Sequence, residues 1–460
     1  MSGEAQLEAL LEIINTSARQ AITEYKKGGN EVPTLESKTY HPIDFANDTV
    51  ALKKAVRLLE GACQQLCASL APPQHTVHNY AMSFEWACVG VVIRAKVADA
   101  LVKFPKGLHV DELAKLVNLE KGKLARVLRL LATKGCFTEV TPNIFTNNRI
   151  SLITLSTSNP GALSRMEVEY ASQGAVVLYE TMTEPEYATS YAPDKAPLIY
   201  ALEKKGFEGN FFDWVKENPE IHQNYHRAML GLSDVMGSLS VLHHYPWNEV
   251  KTVCDVGASI GTVSLPLAKM HPHLRITDQD LPEVLVQAKD VWAKNAPEVL
   301  QNNQVEFVPL NFLEGSPVKG QDVYYLRNII HDWPDAEAIV IMRNVRSAMT
   351  PHSRLLIHDY MLTPASRDLS AESFGADVAP EPLLPNFGNG NNRMYQQDLN
   401  MWIVHNAKER MLDDLIALGI ANDVLFRSGA GLRLEKVYDL AESAVLEFRV
   451  DGTQMDGTHL

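Results

Sequence analysis

With 460 residues, 46% of them hydrophobic and 21% charged, the chain has the composition of a soluble globular protein of two or three domains with a large core. Its net charge of −14, from 56 acidic against 42 basic residues, argues against nucleic acid or an anionic membrane surface as the main partner, because both select positive surfaces. No run of about 18 apolar residues is present to span a bilayer, and Met1-Ser-Gly-Glu-Ala lacks the basic-then-apolar start of a signal peptide. The five cysteines (Cys63, Cys67, Cys88, Cys136, Cys254) are scattered, and Cys63 and Cys67 have no second ligand pair. Reduced thiols in a cytoplasmic protein are expected, with no metal site.

Residues 1–75 read as a helical, partly polar extension. Leu7, Leu10, Leu11, Ile14 and Ala18 make an amphipathic stripe, and a flexible stretch follows near Gly28-Gly-Asn-Glu-Val-Pro33. Residues 76–155 read as helix, turn, helix and strand pair. Val97, Ala100, Leu101 and Phe104 close one helix, Val110–Val117 and Lys123–Ala132 form two more, and Gly135–Val140 pairs with Asn143–Thr146 over Thr141-Pro142. This is a winged-helix layout. DNA binding is the sharp reading of it; the acidic balance favours a dimerisation and substrate-lid module. Residues 156–245, with Phe211-Phe-Asp-Trp214 and Tyr225-His-Arg-Ala-Met229, read as a mainly helical connector.

From 246 to 460 strands and helices alternate. Apolar runs at Thr252–Val256, Leu274–Ile276, Val305–Val308, Val323–Leu326 and Leu355–Ile357 are separated by helix-length stretches. The fold class is therefore α/β, a doubly wound parallel sheet with helices on both faces. An irregular segment rich in Pro, Gly and Asn runs from Leu362 to Gln397; a loop of that length is either disordered or a functional flap.

Two features lie where ligands bind in such sheets, at the strand ends. Asp255-Val-Gly-Ala-Ser-Ile-Gly261 follows the first strand, and glycines at a strand-to-helix turn let the backbone approach a ligand. Asp280, some twenty residues past that turn, ends the next strand, where a carboxylate accepts both hydroxyls of a ribose. Together they point to a nucleoside-containing cofactor; the missing third glycine disfavours a dinucleotide. The second feature is Leu326-Arg-Asn-Ile-Ile-His-Asp-Trp-Pro-Asp335. It follows the strand Val323–Leu326 and precedes a helical pattern with Ala338, Ile339, Met342, Val345 and Met349 on one face, and Asp332, Pro334 and Asp335 form the helix-start cluster. His331 thus sits at the mouth of the crevice as an exposed group able to take a proton near neutral pH.

The ordered set Asp255–Gly261, Asp280-Leu-Pro282, Leu310-Asn-Phe-Leu313, Arg327–Trp333 and Lys408-Glu-Arg410 resembles the plant- and fungal-type O-methyltransferases dependent on S-adenosylmethionine. Arg126-Val-Leu-Arg129 and Gly135-Cys-Phe137 are similar to that family's winged-helix dimerisation domain. The resemblance covers roughly residues 85 to 450. It implies a Rossmann-like methyltransferase sheet behind a mainly helical dimerisation domain, a homodimer, S-adenosylmethionine as cofactor and a small-molecule acceptor. Carried over residue by residue, it implies that Asp255, Gly257 and Gly261 border the cofactor and that Asp280 holds its ribose. Asn311 and Phe312 would border the adenine, with Arg327 alongside. His331 would be the general base, flanked by Asp359 at the end of the next strand and by Glu409 at a helix start. This chain departs from the family at Gly257-Ala-Ser259, where three glycines are usual, at Asn311, usually Asp, and at Asn328, where Trp is common.

Methyl transfer from a sulfonium needs the acceptor oxygen, methyl carbon and sulfur aligned, and a base to deprotonate a weakly nucleophilic phenol or enol. A carboxylate beside the base fixes its tautomer and stabilises the imidazolium. Other readings stay open. Glu409 could pair with Lys408 or Arg410 on a solvated face, and Asp359 could cap a loop. Phe212, Trp214, Met229 and Trp402 suit either an acceptor pocket or core packing, and His358 and His405 lie near the inferred site. A rival function is a pericyclase or dehydratase that binds the cofactor without transferring its methyl group.

Overall fold

The computed structural model describes residues 2–367, 370–420 and 430–451. Two compact units emerge. Met1–Leu59, Cys63–Met236 and Trp402–Asn406 form one, and Glu60–Ala62, Gly237–Met401 and Ala407–Leu460 form the other. The boundary after Met236 falls inside the helical connector.

The first unit is mainly helical. Its opening helix, Gly3–Tyr25, starts at Ser2, whose hydroxyl accepts the Ala5 N–H. The buried line is Leu10, Ser17 and Ala21, and Leu11 is 45% exposed, so the helix is rotated from the expected stripe. Ser17 can be buried because its hydroxyl donates to the Ile13 carbonyl at 2.6 Å, which satisfies it locally. The winged helix combines the helices Val110–Leu116 and Lys121–Thr133 with strands β1 (Leu108–His109), β2 (Thr138–Thr141) and β3 (Ile144–Thr146), ordered β1-β3-β2 and antiparallel. Leu113, Leu124, Leu128, Phe137 and Phe145 close its core. The wing strand starts at Thr138 rather than Gly135, because Phe137 turns through a positive φ of 66°. Two cations of the second helix are engaged by acids, Arg129 by Glu139 and Lys121 by Asp111.

The second unit is built on a seven-stranded sheet. In chain order its strands are β4 (Thr252–Val256), β5 (Arg275–Asp280), β6 (Val305–Pro309), β7 (Val323–Arg327) and β8 (Arg354–Asp359). The short strands β9 (Met361–Leu362) and β10 (Arg410–Met411) pair separately, and β11 (Leu432–Asp439) and β12 (Ala444–Val450) complete the sheet. Its order is β11-β12-β8-β7-β4-β5-β6. The first five strands are parallel, as expected. β12 is antiparallel to both β8 and β11, so the sheet is mixed. The chain steps outward from β4 to β6, then restarts on the other side with β7, which puts the topological switch point at the β4 and β7 ends. This is a Rossmann-like fold.

The segment after Leu362 is packed rather than loose. Ala376, Ala379, Leu383 and Phe387 are buried, and the Arg367 guanidinium donates to the carbonyls of Ala379 and Leu383 at 2.9 and 3.0 Å. A side chain at Gly61 would lie 2.3 Å from the Phe387 carbonyl, so the short piece Glu60–Ala62 of this unit packs closely on the segment. The irregular stretch ends at the helix Asn392–His405; residues 368 and 369 lie outside the described residues.

Candidate active site

The glycine turn is shaped by backbone alone. Gly257, Ser259 and Gly261 have φ of 79°, 53° and 84°. The two glycines reach that region freely, whereas for Ser259 it costs about 1 kcal/mol. Hydrogen bonds to β5 offset the strain. The Gly257 N–H donates to the Gln279 carbonyl at 2.8 Å, and the Ser259 N–H donates to Asp280 Oδ2 at 2.7 Å. The other Asp280 oxygen accepts the Leu281 N–H at 2.7 Å. Burial raises the Asp280 pKa above the usual carboxylate value, against the pull of those two N–H groups. Each oxygen keeps a lone pair for a hydroxyl donor.

The two glycines do different work. A Cβ on Gly257 would meet the Ile329 side chain at 2.5 Å and Phe312 at 3.7 Å, so this glycine lies between the Phe312 loop and the segment leading to His331. A Cβ on Gly261 would lie 2.3 Å from the Trp292 indole nitrogen, so its notch is filled by helix packing. Beneath the turn, Asp255 and Asp278 are cross-strand partners. Burial pushes Asp255 up to about 7, against Arg327, and raises Asp278 well above the usual range. Ser264 Oγ donates to Asp278 Oδ2 at 3.1 Å. The Arg327 guanidinium donates to Ser238 Oγ at 3.0 Å. Asn311 Oδ1 accepts the Leu313 N–H at 3.1 Å, closing a local turn. Phe312 stands edge-on to Trp333, with ring centroids 5.9 Å apart.

The histidine side is assembled from distant segments. His331 lies in the short helical turn Ile330–Asp332 and is 5% exposed. The expectation of an exposed histidine is therefore corrected. Its Nδ1 lies 2.8 Å from Glu409 Oε1 and its Nε2 lies 3.6 Å from Asp332 Oδ1. Burial pulls its pKa down, but the charges of Glu409, Asp332 and Asp359 override this and raise it to about 10. At neutral pH these charges favour the imidazolium over the neutral ring expected from the ordinary pKa of histidine. Asp359 ends β8, and its Oδ1 accepts the Asn328 N–H at 2.8 Å. Burial raises it to about 6, with the His331 charge opposing. Asn328 takes a left-handed φ of 52°, which turns the chain from β7 into the histidine turn.

Glu409 is not at a helix start. It precedes the two-residue strand β10, which runs parallel to β9 with Arg410 opposite Met361; the helix begins at Leu412. Nor does it pair with its neighbours. Lys408 and Arg410 both bind Asp335, while the Glu409 side chain is fully buried against His331. Its backbone N–H is fixed by Asp398 Oδ1 at 2.9 Å, and its second oxygen, Oε2, has no hydrogen-bond partner among the described residues. Asp332, Asp335, Asp398 and Arg410 were missed as site residues. The alternation of Lys408, Glu409 and Arg410 along an extended stretch was the available signal.

Other candidates lie elsewhere. His358 is fully buried between the Tyr325 hydroxyl (2.6 Å) and Ser443 Oγ (2.9 Å). Burial, with Arg327 nearby, lowers it to about 3, so it is a neutral core group. His405 stacks on Phe211 and Phe212 in the first unit, and Trp214 and Met229 pack into the core there. Among the described residues no group of three or more potential ligands could hold a metal.

The donor set fits a nucleoside carrying a sulfonium. Three carboxylates surround one imidazole, leaving the site able to accept positive charge. The Asp280 oxygens retain acceptor capacity beside a turn in which Ser259 is exposed at the switch point.

Comparisons with known proteins agree. Residues 195–418 match the family model of the O-methyltransferase domain. The chain is 36% identical over 451 residues to a "3-O-methyltransferase 2" of Phanerochaete chrysosporium, covering 96% of this chain and 97% of that protein. Two solved structures share the fold. The calicheamicin-biosynthesis methyltransferase CalO1 in its SAH-bound form is 22% identical, with a TM-score of 0.62 over 83% of this chain and 99% of its own. A protein described as a pericyclic reaction enzyme is 20% identical, with a TM-score of 0.64 over 96% and 99%. S-adenosylmethionine is the cofactor of this chain. The chain belongs to the plant- and fungal-type O-methyltransferases dependent on S-adenosylmethionine.

Proposed function

We propose that the protein methylates a phenolic or enolic hydroxyl of a small secondary metabolite, with His331 as the general base. The observation that carries this reading is the buried 2.8 Å contact between His331 Nδ1 and Glu409 Oε1. It fixes which ring nitrogen is bound to the carboxylate and leaves Nε2 for the acceptor hydroxyl. Asp255, Gly257, Gly261, Asp280, Asn311, Phe312 and Arg327 are the residues proposed to bind or border the cofactor, which supplies an electrophilic methyl group.

In this reading the acceptor O–H would give its proton to His331 Nε2, making its oxygen nucleophilic toward the methyl group that the bound cofactor would supply. Glu409 and Asp359 balance the imidazolium that forms. His331 must first lose its resting proton. A cationic cofactor bound nearby would favour release of that proton to solvent, because a neighbouring cation makes the imidazolium costlier. The test is acceptor-dependent production of S-adenosylhomocysteine across a panel of phenols and polyketides, with His331→Asn as control. No turnover by wild type on any hydroxylated acceptor, despite cofactor binding, would contradict the reading.

A second reading is favoured by the carboxylates of Glu409 and Asp332, 2.8 and 3.6 Å from the two His331 ring nitrogens, which raise the His331 pKa to about 10. An imidazolium suits acid catalysis of dehydration or ring closure without methyl transfer. We further propose a cytoplasmic homodimer acting on no nucleic acid or membrane. Support comes from the exposed apolar residues Leu70, Val77, Tyr80, Met82, Phe84 and Trp86 of the first unit, a contiguous sequence stretch of the kind buried at protein interfaces. Free exposed thiols at Cys63 and Cys67 suit a reducing compartment, and no described helix is long and apolar enough to cross a membrane.

A further inference from the structure

Lys408-Glu-Arg410 is extended where it meets the histidine turn, so successive side chains point to opposite sides. Glu409 meets the ring. Arg410, 2% exposed, turns the other way and grips the backbone on both flanks of His331. Its Nη1 donates to the Ile330 carbonyl at 2.6 Å and its Nη2 to the Trp333 carbonyl at 2.7 Å. Nε and Nη2 also reach Asp335 Oδ1 at 3.1 and 2.8 Å, and Lys408 Nζ holds Asp335 Oδ2 at 2.9 Å. The guanidinium thus spans the four residues 330–333 as a fork, a geometry that a lysine point charge cannot reproduce. The same backbone is pinned to β9 at Arg410 opposite Met361, two residues beyond Asp359. Glu409 and the strand that follows it therefore carry, in one short extended segment, the carboxylate partner of His331, the clamp on the His331 turn and the tether to the Asp359 strand.

We infer that Arg410, anchored by Asp335, is a positioning residue that keeps the 330–333 turn in register with Glu409, so that His331 Nδ1 stays on the Glu409 carboxylate. The inference rests on the proposed role of His331, but its central contact is measurable without turnover.

The test is an NMR titration of His331 in the full-length, ligand-free protein labelled at histidine, with the resonance assigned by its loss in His331→Asn. Wild type should titrate far above an ordinary histidine. Arg410→Ala should move the midpoint down by one unit or more while Kd for S-adenosylmethionine stays within about threefold. Added guanidinium should restore part of the shift, and Arg410→Lys should recover less than the native fork. Asp335→Asn, which leaves both carbonyl contacts in place, should give a smaller downward shift and serves if Arg410→Ala does not fold. In turnover, loosening the register should lower kcat by up to about 10²-fold, the scale expected for an ångström misplacement.

An unchanged His331 midpoint in folded Arg410→Ala, or in Asp335→Asn where only that variant folds, overturns the inference. Wild-type turnover in His331→Asn would instead remove the proposed base while leaving the titration result standing. The two failures are therefore separable.

Discussion

The two halves of the crevice are held together in different ways. On the cofactor side, the turn after β4 is fixed by its own backbone and by the adjacent strand. Gly257 and Gly261 supply positive φ, and Asp280, only 21 residues after Ser259, caps that residue's N–H. On the histidine side, the decisive contact joins residues 78 positions apart, His331 and Glu409. Three carboxylates, Glu409, Asp332 and Asp359, set its charge, while Lys408 and Arg410 pair with Asp335. Local backbone sets the shape of the first half; long-range electrostatics set the protonation state of the second. Damage to the first should therefore appear mainly as lost stability or cofactor affinity, and damage to the second as altered proton chemistry.

The sharpest way to separate the halves is His331→Asn. Turnover should fall by about 10²–10⁴-fold, the usual range for a lost general base, while calorimetry shows Kd for S-adenosylmethionine within about threefold of wild type. A comparable loss of cofactor affinity would mean that the halves are not separable.

Glu409→Gln comes next. Activity should drop by roughly 10- to 100-fold, and the His331 midpoint should fall from about 10 toward its ordinary value. The pH dependence of stability follows in sign. The folded pKa of about 10 lies above the unfolded value of about 6.5, so the folded chain binds this proton more tightly. That stabilisation is complete below pH ~6.5 and is lost as pH rises through about 10. Denaturant melts across this window should show the decline in wild type and a flatter profile in Glu409→Gln.

The glycine turn yields the opposite signature. Gly261→Ala would force a methyl to 2.3 Å from the Trp292 indole at φ 84°, and should cost about 3 kcal/mol in chemical denaturation. Gly257→Ala should cost less, because its nearest contact is the movable end of the Ile329 side chain. Smallest of all, Ser259→Gly should stabilise by about 1 kcal/mol by relieving its left-handed φ of 53°.

The same contrast explains what could be read in the sequence. The strands β4 to β8 were legible because buried parallel strands leave apolar runs between helical patterns, and the glycine turn was legible because positive φ favours glycine. β12 was missed although Ala444–Val450 is a largely apolar run; pairing against β8 in the reverse sense leaves no local mark. Leu11 falls in the apolar stripe by residue type alone, whereas the buried line runs through the polar Ser17, whose hydroxyl is satisfied within the helix. For the site, residue types at the strand ends could be nominated. Their charge state could not, since the imidazolium depends on three carboxylates drawn from different loops. Arg410 escaped notice because its partners are mostly backbone carbonyls, which no side-chain motif displays.

The most direct test of the central claim is mass spectrometry of an acceptor incubated with purified protein and S-adenosylmethionine. Methyl transfer predicts a product heavier by one methyl group, formed together with S-adenosylhomocysteine and absent with His331→Asn. A product of unchanged mass, or one lighter by water, formed without consumption of the cofactor, would contradict it.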